Sequence, residues 1–287
     1  MKMGKKILLM LLAMVLVFMS GCAEEKKQIA LNQSNNTSGY EFEVFLNEYN
    51  NNVPANTTTY YLLEDKTTVK VVNLEINCSK LEIYPPDTLG GGSAENPIQD
   101  FVLRVEPANE TAADAQTFEE FSHKNETSDV NYTLTQEISQ NMKVLNLTFE
   151  EPVTGFIAYT IEVPGTQSFT FMKPDSVFFR VVLPPGYDTG NRIFGIARPT
   201  PSNESSDEKG RRNLLWISSK LGERDDIIQV KYYSQSAPLL FLGAIIALLI
   251  GVGVVLFYYS RSKKELESVK GIFELEREYE KKHKRRK

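Results

Sequence analysis

Histidine and cysteine are scarce in this sequence of 287 residues, which contains two of each. The histidines, His123 and His283, exclude a histidine-dependent catalytic triad or a multi-histidine metal site within one chain. The cysteines, Cys22 and Cys78, are too few for a cysteine-rich zinc or redox site. The sequence therefore assigns no catalytic, cofactor-binding or metal-binding residue, and we expect a protein that is not an enzyme and that needs no cofactor.

Carboxylates are abundant, with 37 Asp and Glu in the chain. They would suffice for a hydrolase that uses two acids, or for weak calcium binding. No spacing singles out a pair, and a solvated acidic surface is the commoner reason for such a composition. A carboxylate-dependent hydrolase of surface polysaccharide is kept only as an alternative.

The charges are distributed unevenly along the chain. Residues 23–236 carry 18 Lys and Arg against 31 Asp and Glu, whereas residues 260–287 carry 11 against 6. An acidic middle argues against nucleic acid as a partner. Basic residues near both ends fit a protein whose ends lie at a membrane, so membrane lipid is the expected partner.

The longest apolar run, Pro238–Tyr259, has 22 residues and no charged side chain. An α-helix of this length measures about 33 Å, enough to cross a hydrocarbon core of about 30 Å. Arg261, Lys263 and Lys264 follow it, and the positive-inside bias then places the C-terminus in the cytoplasm. We predict a transmembrane helix at 237–259 and a basic cytoplasmic tail at 260–287. The tail is either a helix on the inner leaflet or a solvated flank that stops transfer.

A shorter apolar run, Ile7–Met19, follows three lysines and has the length of a signal-peptide core. It ends in Met19-Ser20-Gly21-Cys22, which is similar to the lipobox of prokaryotic lipoproteins, where the cysteine is lipidated. We therefore predict a signal peptide at 1–22 with a lipobox-like end and a lipid on Cys22. A conventional signal peptide or an uncleaved anchor would equally export the residues that follow.

The asparagines give an independent indication that the chain between the two apolar runs lies outside the cell. Ten of the 19 asparagines begin an N-x-Ser/Thr sequon, and all ten lie between the two apolar runs. They are Asn32, Asn35, Asn36, Asn56, Asn77, Asn109, Asn125, Asn131, Asn146 and Asn203. We interpret them as glycosylation candidates, the alternative being a polar surface rich in Asn and Thr.

The exported part reads as a flexible tether at 23–39 and a β-rich extracytoplasmic domain at 40–236. Apolar and polar residues alternate at 72–79, 132–138 and 145–150, as in half-buried strands. Eight further strands are expected at 41–48, 58–63, 101–106, 156–163, 168–172, 177–183, 214–218 and 227–233. We predict an all-β fold, an antiparallel sandwich of one or two subdomains, plus the C-terminal helix. A candidate subdomain join at 108–128 has a short helix around Phe118 and Phe121.

The strand register predicts which residues face the interior. Val72, Leu74, Ile76 and Cys78 would share the apolar face, with Asn73 and Glu75 on the solvated one. The same register puts Asn131 and Asn146 on polar faces, where a glycan could stand. A buried Cys78 would be an inert thiol, although a bridge to Cys22 or to another chain stays open.

Small residues recur every four positions in the predicted membrane helix, at Gly243, Ala247 and Gly251. Such a stripe permits close helix contact, so these residues are helix-packing candidates for a homodimer.

The layout resembles an uncharacterised family of archaeal surface proteins, a domain of unknown function. The similar residues are Met19–Cys22, Leu183–Asn191, Phe194-Gly195, Trp216, Ile228–Tyr233 and Tyr258-Tyr259, and the similarity is strongest over 176–270. The resemblance implies a lipobox, a β-rich exterior, a single C-terminal span and an archaeal envelope location. It supplies no catalytic residue and no ligand.

Together these patterns predict a single-pass envelope protein with a structural or interaction role, whose partners are envelope proteins or glycans. The alternative is a receptor or accessory subunit that signals through its cytoplasmic tail.

Overall fold

The computed structural model describes residues 27–28, 39–47, 53–85, 98–109, 113–124, 128, 130–139, 142–222 and 225–284. The strands are β1 (Lys27–Gln28), β2 (Leu46–Asn47), β3 (Val53–Pro54), β4 (Thr57–Leu62), β5 (Thr68–Ile83), β6 (Gln99–Pro107), β7 (Tyr132–Ser139), β8 (Met142–Glu162), β9 (Ser168–Met172), β10 (Phe178–Val182), β11 (Tyr187–Asp188), β12 (Ala197–Arg198), β13 (Asn203–Ser206), β14 (Arg212–Ile217), β15 (Ile227–Lys231) and β16 (Tyr233–Ser234). The helices are α1 (Ala115–His123), a 3-10 turn at Ser218–Lys220, and α2 (Ala237–Lys284). The chain divides into two compact units after Tyr233.

The first unit is built on one large mixed sheet with the strand order β1-β7-β8-β5-β4-β10-β14-β13, in which β6 also pairs with β8. Strands β4 and β10 run parallel, whereas the other pairs with a defined register are antiparallel. A three-stranded sheet, β12-β15-β9, is separate from it. The predicted β-rich class is thus confirmed, with one parallel pair that the alternation of residues did not indicate.

Both faces of the large sheet are covered. On one face, Tyr60 and Val71 share a core with Phe169 and Phe171 of β9 and with Ile228 of β15. On the other face, α1 contributes Phe118 and Phe121 to a second core with sheet residues. Because β4 lies between the two cores, all six of its residues are buried.

The helix predicted around Phe118 and Phe121 is confirmed as α1. Asp114 caps it, since its side chain accepts a hydrogen bond of 2.8 Å from the backbone N–H of Thr117. Both phenylalanines point into the second core, so α1 packs on the same sheet as the strands that flank it in sequence.

Strand β8 is the longest, with 21 residues, and merges the strands predicted at 145–150 and 156–163. It pairs with β5 along one edge and with β7 and then β6 along the other. Gly155, opposite both Glu75 and Val105, has φ +146°, and a Cβ there would lie 2.1 Å from the carbonyl oxygen of Arg104. Only glycine fits this position.

Residues 39–47 do not form the long strand predicted at 41–48. Apart from the two-residue β2, they cross the second face of the large sheet as an irregular segment that we call the strap. Tyr40, Phe42 and Val44 pack against the core that contains Phe118 and Phe156. Phe42 lies edge-on to Phe156, with ring centroids 5.4 Å apart, and the Arg104 guanidinium lies 3.9 Å from its ring.

The second unit is the helix α2, 48 residues long, which contains the predicted span and continues to Lys284. It is long and apolar enough to cross a membrane, and its most apolar window is not buried inside the structure. No break separates the apolar segment from the basic residues within the described helix.

Candidate functional site

The strap is fixed to the sheet by two arginines. Arg211 donates two parallel hydrogen bonds to the carboxylate of Glu41, at 2.9 and 2.8 Å, and Lys209 forms a second ion pair with the same carboxylate at 2.9 Å. Burial alone would raise the pKa of Glu41, but the hydrogen bonds from Arg211 and Lys209 lower it. Arg180 binds the carboxylate of Glu43 and donates to Thr59 Oγ1 at 2.9 Å.

Beside these contacts the strap and the sheet form a partly open cavity of about 150 Å³, which we call the strap pocket. Its lining residues come from the strap, β10, β13 and β14: Phe45, Leu46, Phe178, Arg180, Asn203, Ser205, Asn213 and Leu215. The rings of Phe45 and Phe178 are 5.0 Å apart. The Oδ1 atom of Asn213 is buried and accepts no hydrogen bond from the described part of the chain.

The strap pocket therefore combines aromatic and aliphatic walls with amide, hydroxyl and guanidinium groups, the usual composition of a small-ligand site. Its volume admits one ring-sized group. Sequence reasoning missed it because the pocket-lining segments lie far apart in the chain. Among the residues that line it, the sequence singled out only Asn203, as a glycosylation candidate.

A second candidate site surrounds Glu75, which is 3% exposed. It lines a cleft of about 20 Å³, here called the Glu75 cleft, together with Tyr60, Tyr159 and Asp175. Burial, with a smaller contribution from the negative charge of Asp175, raises the pKa of Glu75 to about 8. Next to it, Thr58 donates a hydrogen bond of 2.9 Å to Asn73 Oδ1.

The Glu75 cleft can hold a proton and a water molecule, but its volume is too small for a sugar or a peptide side chain. Glu75 is its one buried carboxyl, since Asp175 is exposed and Glu82, which binds Lys80 at 2.6 Å, is about 41% exposed. Two-acid hydrolysis needs room for a glycosidic bond between the carboxyls. Within the described residues, no three His, Cys, Asp or Glu side chains are grouped so that they could hold a metal ion.

The predicted solvent face of β5 was wrong. Asn73 and Glu75 are buried at 1% and 3% exposure, because the three-stranded sheet covers that side. The pairing with β8 shifts register after Glu75, and Asn77 takes φ +55°. Cys78 is therefore buried as predicted, but in the core opposite to that of Val72 and Leu74.

Cys78 is a free thiol in the structure, and burial raises its pKa to about 12, with a smaller contribution from Glu75. Its Sγ donates to the carbonyl oxygen of Lys80 at 3.3 Å. An inert buried thiol fits these contacts. The predicted lipidation residue, Cys22, lies outside the described residues.

The sequon asparagines differ in exposure. Asn77, Asn109, Asn131 and Asn203 are exposed, and Asn56 is half-buried with its Oδ1 accepting from the Ile76 N–H. Asn146 is 5% exposed, so its predicted position on a polar face was wrong. The others, Asn32, Asn35, Asn36 and Asn125, lie outside the described residues. Of those described, Asn203 lines the strap pocket.

The small-residue stripe is exposed along α2 at Gly243, Ala247 and Gly251. A Cβ added at Gly243 or Gly251 would meet nothing within 4 Å, so neither glycine is required by packing within the chain. Association of two copies through this stripe stays a prediction.

These features define a β-rich domain followed by one helix of membrane-spanning length. The chain belongs to DUF5803, a family of unknown function, which matches residues 55–278. The match includes β4 to β16 and most of α2 and omits the strap. No curated protein and no solved structure matches the chain.

Proposed function

We propose that this protein is a single-pass, membrane-anchored protein whose β-rich domain faces the exterior and serves as a structural or interaction module. The observation that carries the proposal is the uninterrupted apolar segment of α2 followed at once by Arg261, Lys263 and Lys264. Such a segment crosses a membrane with its basic flank in the cytoplasm.

Charge and sequons support the same orientation. Residues 23–236 are acidic and contain all ten sequons, whereas the tail is basic. We further propose that Cys22 carries a lipid and that the location is an archaeal cell envelope, on the lipobox-like residues and on the resemblance described above.

A non-enzymatic role is proposed because neither cavity brings reactive groups together. The strap pocket has no nucleophile beside a general base among the residues that line it, and the Glu75 cleft is too small for a polysaccharide. The hydrolase alternative is therefore the weakest of the three.

Membrane-impermeant maleimide labelling of variants with one introduced cysteine, on intact cells, tests the orientation. Ser219→Cys lies on the exposed 3-10 turn, and Ser262→Cys lies just after the apolar segment. We expect Ser219→Cys to label on intact cells and Ser262→Cys to label only after permeabilisation. The reverse pattern would refute the proposal, and buried Cys78 gives a low background.

A second candidate, an accessory subunit that passes an external event to the tail, is favoured by the continuity of α2 from Ala237 to Lys284. A tail truncation after Lys264 would then change the behaviour of a cytoplasmic partner while labelling of Ser219→Cys persists. If the truncation leaves the cytoplasmic partner unchanged, the signalling role is refuted and the structural role remains.

A further inference from the structure

One of the sequons, at Asn203, lies in the lining of the strap pocket. Asn203 and Ser205, the first and third residues of the sequon, are two apart on β13 and both line the cavity. Residues two apart on a strand lie on the same face, so a group attached to the Asn203 amide begins at the pocket rim.

The pocket offers one sugar ring a surface of suitable chemistry. A cavity of about 150 Å³ accepts a benzene-sized ring, and because the pocket is partly open, the substituents of a larger sugar ring can extend out of it. The rings of Phe45 and Phe178 offer apolar surface to the C–H face of a sugar. The lining also includes the polar side chains of Ser205 and Arg180, which can hydrogen-bond to sugar hydroxyls.

We propose that Asn203 is an N-glycosylation site and that the first sugar of its glycan occupies the strap pocket. The inference rests on the proposed exterior location of the domain. In the reaction, the Asn203 amide nitrogen bonds to the anomeric carbon of an oligosaccharide carried on a lipid phosphate. The bond from that carbon to the phosphate oxygen breaks, the lipid phosphate leaves, and the amide loses one proton.

The attached sugar has two structural effects. It contacts strap and sheet together, and so holds the strap in place. It also covers β13, which ends the large sheet and has all four residues exposed. An exposed edge strand is a site of unwanted strand pairing, and a glycan blocks it.

The test uses the full-length protein purified from membranes of its natural host. Glycopeptide mapping is expected to find a glycan on Asn203. Hydrogen exchange of the strap amides in Asn203→Gln is expected to be at least tenfold faster than in the wild type. Ser205→Ala removes the same sequon and gives the same result, whereas Ser205→Thr retains the sequon and the slow exchange.

Asn109→Gln is the matched control, because it removes an exposed sequon that does not line the strap pocket. We expect its strap exchange to equal that of the wild type. An occupied Asn203 whose loss leaves strap exchange unchanged would overturn the placement of the sugar in the pocket. An unmodified Asn203 would overturn the whole inference, while external labelling of Ser219→Cys would still support the exterior location.

Discussion

Glu75 is a carboxyl buried beneath the three-stranded sheet, and its environment favours the protonated form. The pKa is about 8 in the folded protein against an ordinary 4.5. The folded protein therefore holds a proton that the unfolded chain releases between these pH values. Stability from this group is fully present below about pH 4.5 and is lost as the pH rises through 8.

We expect the free energy of unfolding of the full-length protein in detergent to fall between pH 5 and pH 8. Each unit of pKa shift corresponds to about 1.4 kcal/mol, so the total loss is on the order of a few kcal/mol. Denaturant unfolding at several pH values measures it.

Glu75→Gln is expected to abolish this pH dependence, whereas Glu82→Gln retains it. Glu82 is the matched control because it lines the same cleft but is exposed and bound to Lys80. Its pKa is lowered, by Lys80 first, so its own contribution falls in a more acidic range. A flat wild-type profile between pH 5 and pH 8 would contradict the role of Glu75.

Gly155 gives a second prediction for a single residue. In Gly155→Ala the new Cβ would collide with the backbone of Arg104 and Val105, and backbone cannot move aside as a flexible side chain can. We expect a loss of about 3 kcal/mol or more in the free energy of unfolding.

Gly210→Ala is the control for Gly155→Ala. Gly210 also has a positive φ, +71°, but a Cβ there would meet nothing within 4 Å. The conformational cost alone is about 1 kcal/mol. Equal losses in the two variants would show that the contact with β6 does not matter.

Among the elements, the strap depends most on long-range contacts. Arg211→Lys keeps the charge but loses the pair of parallel hydrogen bonds to Glu41. We expect strap amides to exchange several-fold faster, with little change in global stability because partly exposed ion pairs contribute about 0–1 kcal/mol. Hydrogen exchange with mass spectrometry measures both.

Arg212→Lys is the matched control for the strap. Its guanidinium binds Glu204 and Asp188 rather than the strap. Strap exchange that responds equally to both substitutions would indicate general loosening of the domain rather than loss of the Glu41 contact.

Elements with a strong pattern could be predicted, and elements that depend on tertiary contacts could not. The strand predicted at 168–172 coincides with β9, and α1 was expected from its two phenylalanines. A strand was predicted at 41–48 because polar and apolar residues alternate there. In the structure this alternation has another cause: Glu41 and Glu43 bind arginines, while Tyr40 and Phe42 face the core. Alternation shows that two faces differ, not that a ladder of hydrogen bonds exists.

The same limit explains the candidate sites. Asn73 and Glu75 look solvent-facing in a period-two pattern, because nothing local reveals that β9 and β15 will cover them. The strap pocket joins four separated segments, and its composition appears only after they meet.

At the scale of the whole molecule, the stripe in α2 predicts association between copies. Gly251→Leu in full-length protein is expected to abolish dimers that crosslinking traps in membranes, because the larger side chain keeps helices apart. Gly253→Leu is the control, since two residues turn a helix by about 200° and place position 253 off the stripe. Identical crosslinking of both variants and the wild type would leave the stripe without a role.

The position of β1 has a mechanical consequence if Cys22 carries lipid. Five residues separate Cys22 from Lys27, which pairs with β7 of the large sheet, and an extended chain of that length reaches at most about 18 Å. The domain would then be attached to one bilayer at two points of the chain, the lipid on Cys22 and the helix α2. Two attachments would restrict rotation of the domain relative to the bilayer more than one attachment does. A partner that binds a domain of restricted orientation would cost less rotational entropy on association, because part of that entropy is already lost.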